Sequence, residues 1–290
     1  MFKGSIVALI TPFKNNVLDQ DKYASLIHHH IKNGTKGVVP AGTTGESPTL
    51  DHDEHKKVIE IAVRECKGKI PVIAGTGSNS TAEAIELSKF AEKSGADGLL
   101  IVTPYYNKPT QEGLYQHYKL INDNVGIPII IYNIPPRSVI DMSVDTMARL
   151  FELKNIVGVK DATADLNRVD QQLKKMGSKF IQLSGEDGTA LEFNMRGGVG
   201  CISVTANVAP KLCSEFQEAS LNKNNTKAKE INDKLMPLHK SLFIESNPSP
   251  VKYAASLLNL SSEEVRLPLI KVTEKTKKEV QKALKIAKLL

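Results

Sequence analysis

The stretch Ile156-Val-Gly-Val-Lys160-Asp-Ala-Thr163 runs four residues suited to a buried strand straight into a lysine. A strand covered on both faces of a parallel sheet reads as a near-continuous apolar run. Lys160 closes that run, and the polar turn Asp161-Ala-Thr163 follows before a helical pattern resumes. A lysine so placed keeps its stem among apolar neighbours and its amine at the mouth of the sheet. Taken alone, a strand-end lysine more often snorkels to water. Its other use is chemical. Burial disfavours the ammonium form, and a neutral lysine amine forms Schiff bases with carbonyl substrates.

Outward from this stretch the same unit repeats. Strand-like runs are predicted at Ser5–Thr11, Gly37–Pro40, Pro71–Ala74, Gly98–Val102, Pro128–Tyr132, Ile156–Lys160, Phe180–Ser184 and Gly200–Val204. Helical patterns follow them at Asp21–Lys32, Asp51–Glu65, Ser80–Ser94, Gln111–Asn122, Val144–Leu153, Leu166–Met176, Thr189–Met195 and Pro210–Leu221. Two of these helices open with the acid spacing of a capping box, Asp51 with Glu54 and Ser80 with Glu83. Eight strand–helix units in about 220 residues predict a (β/α)8 TIM barrel. A doubly wound sheet is the alternative, but it rarely repeats its unit so evenly. The predicted division is a catalytic barrel over residues 1–221 and a C-terminal helical extension over 222–290, entered through the polar linker Asn222-Lys-Asn-Asn225. The extension carries helical patterns at Lys227–Ser241, Pro250–Leu257 and Glu274–Leu290. In such a barrel all the polar strand ends fall on one face, where barrel enzymes keep their chemistry.

Tyr132 closes the fifth strand as Lys160 closes the sixth. Neighbouring strands lie roughly 5 Å apart, so inward side chains at these two ends can meet. A phenol beside an amine can move the protons that Schiff-base formation and breakdown require. Gly42-Thr-Thr-Gly45 closes the second strand, bringing two hydroxyls and a close backbone approach suited to a carboxylate. Glu46, not a lysine, follows the second glycine, so this is no P-loop. Gly75-Thr-Gly77 lacks the third glycine of a dinucleotide fingerprint. Tyr105-Tyr106 are paired aromatics in a loop, which suggests contact with a ligand or partner chain. Arg137 follows the stiff pair Pro135-Pro136, where a held guanidinium suits a carboxylate-bearing substrate. No metal site is expected: His52, His55 and His28-His-His30 lack the acid of an H-E-x-x-H helix, and the three cysteines form no C-x-x-C pair.

Composition narrows the class further. The net charge is +6, but lysines and arginines are interspersed with acids, tryptophan is absent and aromatics are few. That argues against nucleic acid as a partner. No apolar run reaches ~18 residues, so no membrane span is expected. The start of the chain has too short an apolar run for a secretory signal, and an odd number of cysteines suits a reducing compartment. The expected location is cytoplasmic.

Five motifs together resemble one family. Gly42-Thr-Thr-Gly-Glu46, Thr103-Pro-Tyr-Tyr106, Tyr132-Asn-Ile-Pro135, Gly158-Val-Lys-Asp161 and Ser184-Gly-Glu-Asp187 are similar to those of the dihydrodipicolinate synthase (4-hydroxy-tetrahydrodipicolinate synthase) family. That family lies within the class I pyruvate-dependent aldolase and lyase superfamily. The lysine and tyrosine motifs mark the superfamily, while the double threonine and Arg137 point to the synthase. The resemblance implies that Lys160 forms the Schiff base with pyruvate. It implies that Tyr132 donates and accepts protons in a relay with Thr43 and with Tyr106 of a neighbouring subunit. Thr44 and the backbone of Ile202 would hold pyruvate, with Gly185 nearby. Arg137 would take the carboxylate of L-aspartate-4-semialdehyde. No cofactor is implied, because the lysine supplies the electron sink. The implied step is the first committed one of the diaminopimelate route in lysine biosynthesis, and the implied assembly is a homotetramer, a dimer of dimers. Ser47, His52, His55, Asn79, Glu83 and Tyr105 match the family's second site, where L-lysine inhibits at a subunit interface. Pro48 lies where that pattern varies.

Two other readings compete. A sister lyase such as N-acetylneuraminate lyase or a keto-sugar-acid aldolase would use the same pyruvate Schiff base with a sugar acceptor. A barrel that binds a keto acid or lysine without turnover would need neither Lys160 nor Tyr132.

Overall fold

The computed structural model describes residues 2–290. Its first strand, β1 (Gly4–Ala8), leads into a small hairpin, β2 (Phe13–Lys14) and β3 (Val17–Leu18), and then α1 (Gln20–Lys32). The expected long first strand Ser5–Thr11 is therefore shorter. The hairpin turns at Asn15 and Asn16, both left-handed, with φ of 53° and 63°. Asparagine tolerates that conformation, which is what a two-residue hairpin turn needs. Next come β4 (Gly37–Val39), α2 (His52–Cys66), β5 (Ile73–Gly75), α3 (Thr81–Ser94), β6 (Gly98–Val102) and α4 (Gln111–Asn122). The second half runs β7 (Ile129–Asn133), α5 (Pro135–Ser138), α6 (Val144–Phe151), β8 (Ile156–Asp161) and α7 (Asn167–Met176). It ends with β9 (Ile181–Ser184), α8 (Ala190–Met195), β10 (Gly200–Ser203) and α9 (Pro210–Leu221).

Eight of these strands form one parallel sheet in the order β4-β1-β10-β9-β8-β7-β6-β5. A parallel bridge between Val38 and Val72 joins its two ends, and the sheet becomes the expected TIM barrel. Strand alternation sorts the side chains. Ile6, Val39, Ile73, Leu100, Ile130, Leu183 and Ile202 fill the barrel interior. Their neighbours Val7, Val38, Leu99, Ile101, Ile129, Ile131 and Val159 face outward beneath the helices. That two-sided burial is why the strands read as unbroken apolar runs.

The helices start where their caps allow. Asp51 accepts from the Glu54 amide at 2.8 Å, and the Glu54 side chain accepts from the Asp51 amide at 3.2 Å, completing the expected capping box of α2. The box expected at Ser80 does not form, because Ser80 makes no side-chain cap. Ser78 stands between the two groups instead: its hydroxyl accepts from the Ser80 amide at 3.0 Å and donates to the Glu83 carboxylate.

The tail comprises α10 (Asn225–Ser241), α11 (Ser249–Leu257) and α12 (Glu274–Ile286), the last ending short of the expected Leu290. Val7, Phe216, Leu235, Val251 and Leu284 share one apolar cluster, which ties β1 and α9 to all three tail helices. Among the described residues no helix is long and apolar enough to cross a membrane.

Candidate active site

β7 and β8 place Tyr132 directly opposite Lys160 in the sheet register. The Lys160 Nζ lies 4.0 Å from the centroid of the Tyr132 ring. Both side chains are buried, Lys160 5% and Tyr132 6% exposed. The amine is thus held near the strand end, against an aromatic face, on a side chain that is largely buried.

Directly behind it is a buried polar network. Asp161 extends β8 by one residue beyond the expected strand. One of its carboxylate oxygens accepts from the Thr163 amide at 2.9 Å and hydroxyl at 2.6 Å. The other accepts from Arg168 Nε and from Gln172 Nε2, both at 3.1 Å. Arg168 also donates to the Met142 carbonyl at 2.7 Å. A buried ion pair is sustained only when its remaining hydrogen-bonding capacity is met, and here the turn after Lys160 supplies much of that capacity. Glu186 sits on the adjacent strand end. Burial and the neighbouring Asp187 raise its pKa, while Lys160 pulls it the other way.

The loop after β4 approaches the mouth as a tight turn. Gly45 and Ser47 amides both donate to the Gly42 carbonyl, at 3.0 and 3.3 Å. The next strand end must let this loop pass: a Cβ on Gly75 would stand 2.3 Å from the Ala41 carbonyl oxygen. The turn ends on Glu46, whose buried carboxylate lies 2.6 Å from Lys252 Nζ of α11. Lys252 also donates to the Thr11 carbonyl at 2.8 Å. Burial pushes its pKa down from 10.5 to about 8, against the pull of Glu46.

A cavity of about 510 Å³ opens beside these elements. Thr43, Ile134 and Arg137 line it on the barrel side. Ser47, His52, His55, Glu83 and Tyr105 line it as well, so most of the residues matched to a lysine site share one cavity with Thr43 and Arg137. Asn79 adjoins them through its side-chain amide, which donates to the Tyr105 carbonyl at 3.2 Å. His52 Nε2 lies 3.0 Å from Glu83 Oε1. His55 is buried and its Nε2 lies 2.8 Å from the Gly75 carbonyl oxygen, the geometry of a donated N–H, and burial lowers its pKa. The Tyr105 phenol is raised by burial and by Glu83.

The lining does not include Lys160, Tyr132 or Thr44. Thr44 is 3% exposed, and its hydroxyl accepts from the side-chain amide of Asn247. Ile202 is buried in the barrel interior on β10. Gly185 donates its amide to the Asp161 carbonyl at 2.7 Å, and a Cβ there would stand 2.7 Å from that of Ala162, so no side chain fits. Arg137 sits on α5 and donates to the Asn247 carbonyl at 3.3 Å. Tyr106 is 89% exposed with a left-handed φ of 73°. Within one chain no hydrogen bond joins Tyr132, Thr43 and Tyr106 among the described residues.

Sequence reasoning did not find Asp161 with Arg168 and Gln172, nor the contributions of Asn247 and Lys252. One signal was available for Lys252: it interrupts the apolar run Val251–Ala255 inside a helix. Among the described residues no group of three or more His, Cys, Asp or Glu side chains is arranged to hold a metal.

Known proteins share this fold. The sequence matches the dihydrodipicolinate synthetase family across residues 1–287. It is 71% identical to a 4-hydroxy-tetrahydrodipicolinate synthase from Pelagibacter ubique, covering 100% of both chains. The fold superposes on the chloride-inhibited dihydrodipicolinate synthase of Acinetobacter baumannii complexed with pyruvate, with a TM-score of 0.98 at 47% identity over 100% of both chains. It also superposes on the enzyme of Cyanidioschyzon merolae with lysine bound, with a TM-score of 0.97 at 36% identity over 100% of this chain and 99% of that one. By these matches the chain belongs to the dihydrodipicolinate synthetase family and is an enzyme of the lyase class, with the 4-hydroxy-tetrahydrodipicolinate synthase activity.

Proposed function

We propose that the barrel condenses pyruvate with L-aspartate-4-semialdehyde on Lys160 to give (4S)-4-hydroxy-2,3,4,5-tetrahydrodipicolinate. The observation that carries this reading is the buried Lys160 amine against the Tyr132 ring. The neutral amine adds to the pyruvate ketone, and loss of water leaves a protonated imine. Removal of a methyl proton gives the enamine, with the iminium nitrogen as electron sink. The enamine carbon attacks the aldehyde carbon, whose oxygen takes up a proton. The amino group of the former semialdehyde then displaces Lys160, closing the ring and returning the free amine.

Tyr132 is the group placed to carry protons to and from the Lys160 adduct. The hydroxyl of Thr43, a residue that lines the neighbouring cavity, would relay them onward to Tyr106 of a second subunit. The extreme exposure of Tyr106 supports that shared role and an assembly of at least two subunits, which the reading extends to a dimer of dimers. Thr44 and the Ile202 backbone hold pyruvate beside Gly185, and Arg137 at the rim takes the carboxylate of the second substrate. Residues 1–221 form the catalytic unit and 222–290 brace it. L-lysine enters the Ser47–Glu83–Tyr105 side of the cavity as feedback inhibitor, with Glu83 as acceptor for its ammonium. The pyruvate and lysine complexes of the two structural neighbours support both assignments. The reaction belongs in the cytoplasm with the rest of lysine biosynthesis.

The decisive test is pyruvate-dependent turnover of L-aspartate-4-semialdehyde beside N-acetylmannosamine and a sugar-acid aldehyde, with borohydride trapping of the adduct. Turnover of the semialdehyde alone, lost together with trapping in Lys160→Ala, is the expected result. Turnover of a sugar aldehyde instead would keep the Schiff base and transfer the substrate to a sister lyase. Absence of any pyruvate adduct would remove Lys160 from the chemistry.

A further inference from the structure

Two carboxylate-binding groups of this reaction hang on one residue of the tail. Asn247, just ahead of α11, is 5% exposed. Its side-chain Nδ2 donates to Thr44 Oγ1 at 3.0 Å across 203 positions of sequence. Its main-chain oxygen accepts from Arg137 Nη2 at 3.3 Å across 110 positions. Its own amide oxygen, Oδ1, is buried and has no hydrogen-bond partner among the described residues.

The direction of the first bond matters. A threonine hydroxyl has one proton to give and lone pairs to receive. Receiving a bond from Asn247 leaves that proton uncommitted, and no acceptor takes it among the described residues. An anion can then accept it. Were the amide oxygen turned to face Thr44, the proton would be spent on Asn247 and Thr44 would show a carboxylate only lone pairs.

We propose that Asn247 is a positioning residue of the substrate site, orienting the Thr44 hydroxyl proton toward the pyruvate carboxylate while its backbone seats Arg137 for the second carboxylate. The inference rests on the pyruvate reading of Lys160. Fixing both groups from one buried residue presets the distance between the two carboxylates before either substrate arrives, which lowers the ordering cost of the encounter. It also gives the tail a direct part in the site.

The test is borohydride trapping at Lys160 as a function of pyruvate concentration, with no second substrate present. Asn247→Asp keeps the shape but replaces the donor by an acceptor that captures the Thr44 proton and sets a negative charge beside the anion site. The pyruvate concentration for half-maximal trapping is expected to rise about tenfold or more, and further than in Asn247→Ala. The concentration dependence on semialdehyde should move less, since the main-chain contact to Arg137 survives. Adding Thr44→Val to Asn247→Asp should raise the half-maximal pyruvate concentration little further, because the donated hydroxyl proton is already lost in the single variant. If Asn247→Asp does not fold, Asn247→Ala carries the test with an expected severalfold shift. A folded variant that traps at wild-type pyruvate concentrations, or one that loses only thermal stability, overturns the proposal and leaves the Lys160 reading standing. Failure of the wild type to trap overturns that reading itself.

Discussion

At Glu83 one carboxylate oxygen accepts from the Ser78 hydroxyl and the other lies 3.0 Å from His52 Nε2. The charge is therefore not consumed in a helix cap, and it faces the cavity together with Tyr105. A ligand ammonium entering there would exchange water for a carboxylate partner, a charge-assisted bond worth roughly 1.5–3 kcal/mol. Because the Glu83 side chain is 38% exposed, screening places the effect at the lower end. Glu83→Gln keeps the Ser78 and His52 neighbourhood but removes the charge. The half-inhibitory lysine concentration is expected to rise about tenfold, read as the ratio of rates with and without lysine. Equal sensitivity in the variant would move the ammonium site elsewhere. In the sequence Glu83 fitted both the lysine-site pattern and the Ser80–Glu83 capping spacing, and nothing in that spacing reveals that Ser78 will step in between.

The strand–helix alternation was legible because period and punctuation are local, and β7 and β8 carry Tyr132 and Lys160 one residue from their ends. What the tail supplies was not legible, since α11 meets the β4–α2 loop only through contacts between distant parts of the chain. Lys252 and Glu46 lie 206 positions apart and are 0% and 1% exposed in their side chains. Such a pair is weak support for stability by itself, but it pins the loop that carries Thr43 and Thr44. Burial lowers Lys252 from 10.5 to about 8. The unfolded chain therefore binds more protons than the folded one between those values, and folded stability rises with pH across that window. Below about 8 both states hold the proton and the penalty is fully present. In the double variant Glu46→Gln, Lys252→Met this dependence disappears. Urea unfolding of both proteins from pH 7 upward should show the wild type gaining on the variant above pH 8 and not below it. A constant difference across the range would mean that the Lys252 ammonium is not destabilised by its site.

For the whole molecule, a tyrosine that is 89% exposed and held at φ 73° is hard to explain in a chain acting alone. Left-handed backbone is unfavourable for a bulky residue unless its surroundings enforce it, and bare aromatic surface is characteristic of interfaces. Tyr105 at 37% and Val139 at 65% are further exposed apolar groups on loops at the same end of the barrel. If a second copy covers this face, each active site borrows Tyr106 from its neighbour, and neither subunit is complete by itself. That arrangement can be tested by complementation. Lys160→Ala removes the amine and keeps Tyr106, whereas Tyr106→Phe keeps the amine and removes the phenol. Alone, each variant should be strongly impaired. In a symmetric dimer that forms at random from equal amounts, half of the dimers are mixed, and each mixed dimer has one site with both groups intact, so about a quarter of all sites are restored. Co-expression of the two variants should therefore recover about a quarter of wild-type turnover. Activity no greater than the sum of the separate variants, in a preparation whose mass shows mixed oligomers, would place the phenol of Tyr106 in its own subunit's site or outside catalysis altogether.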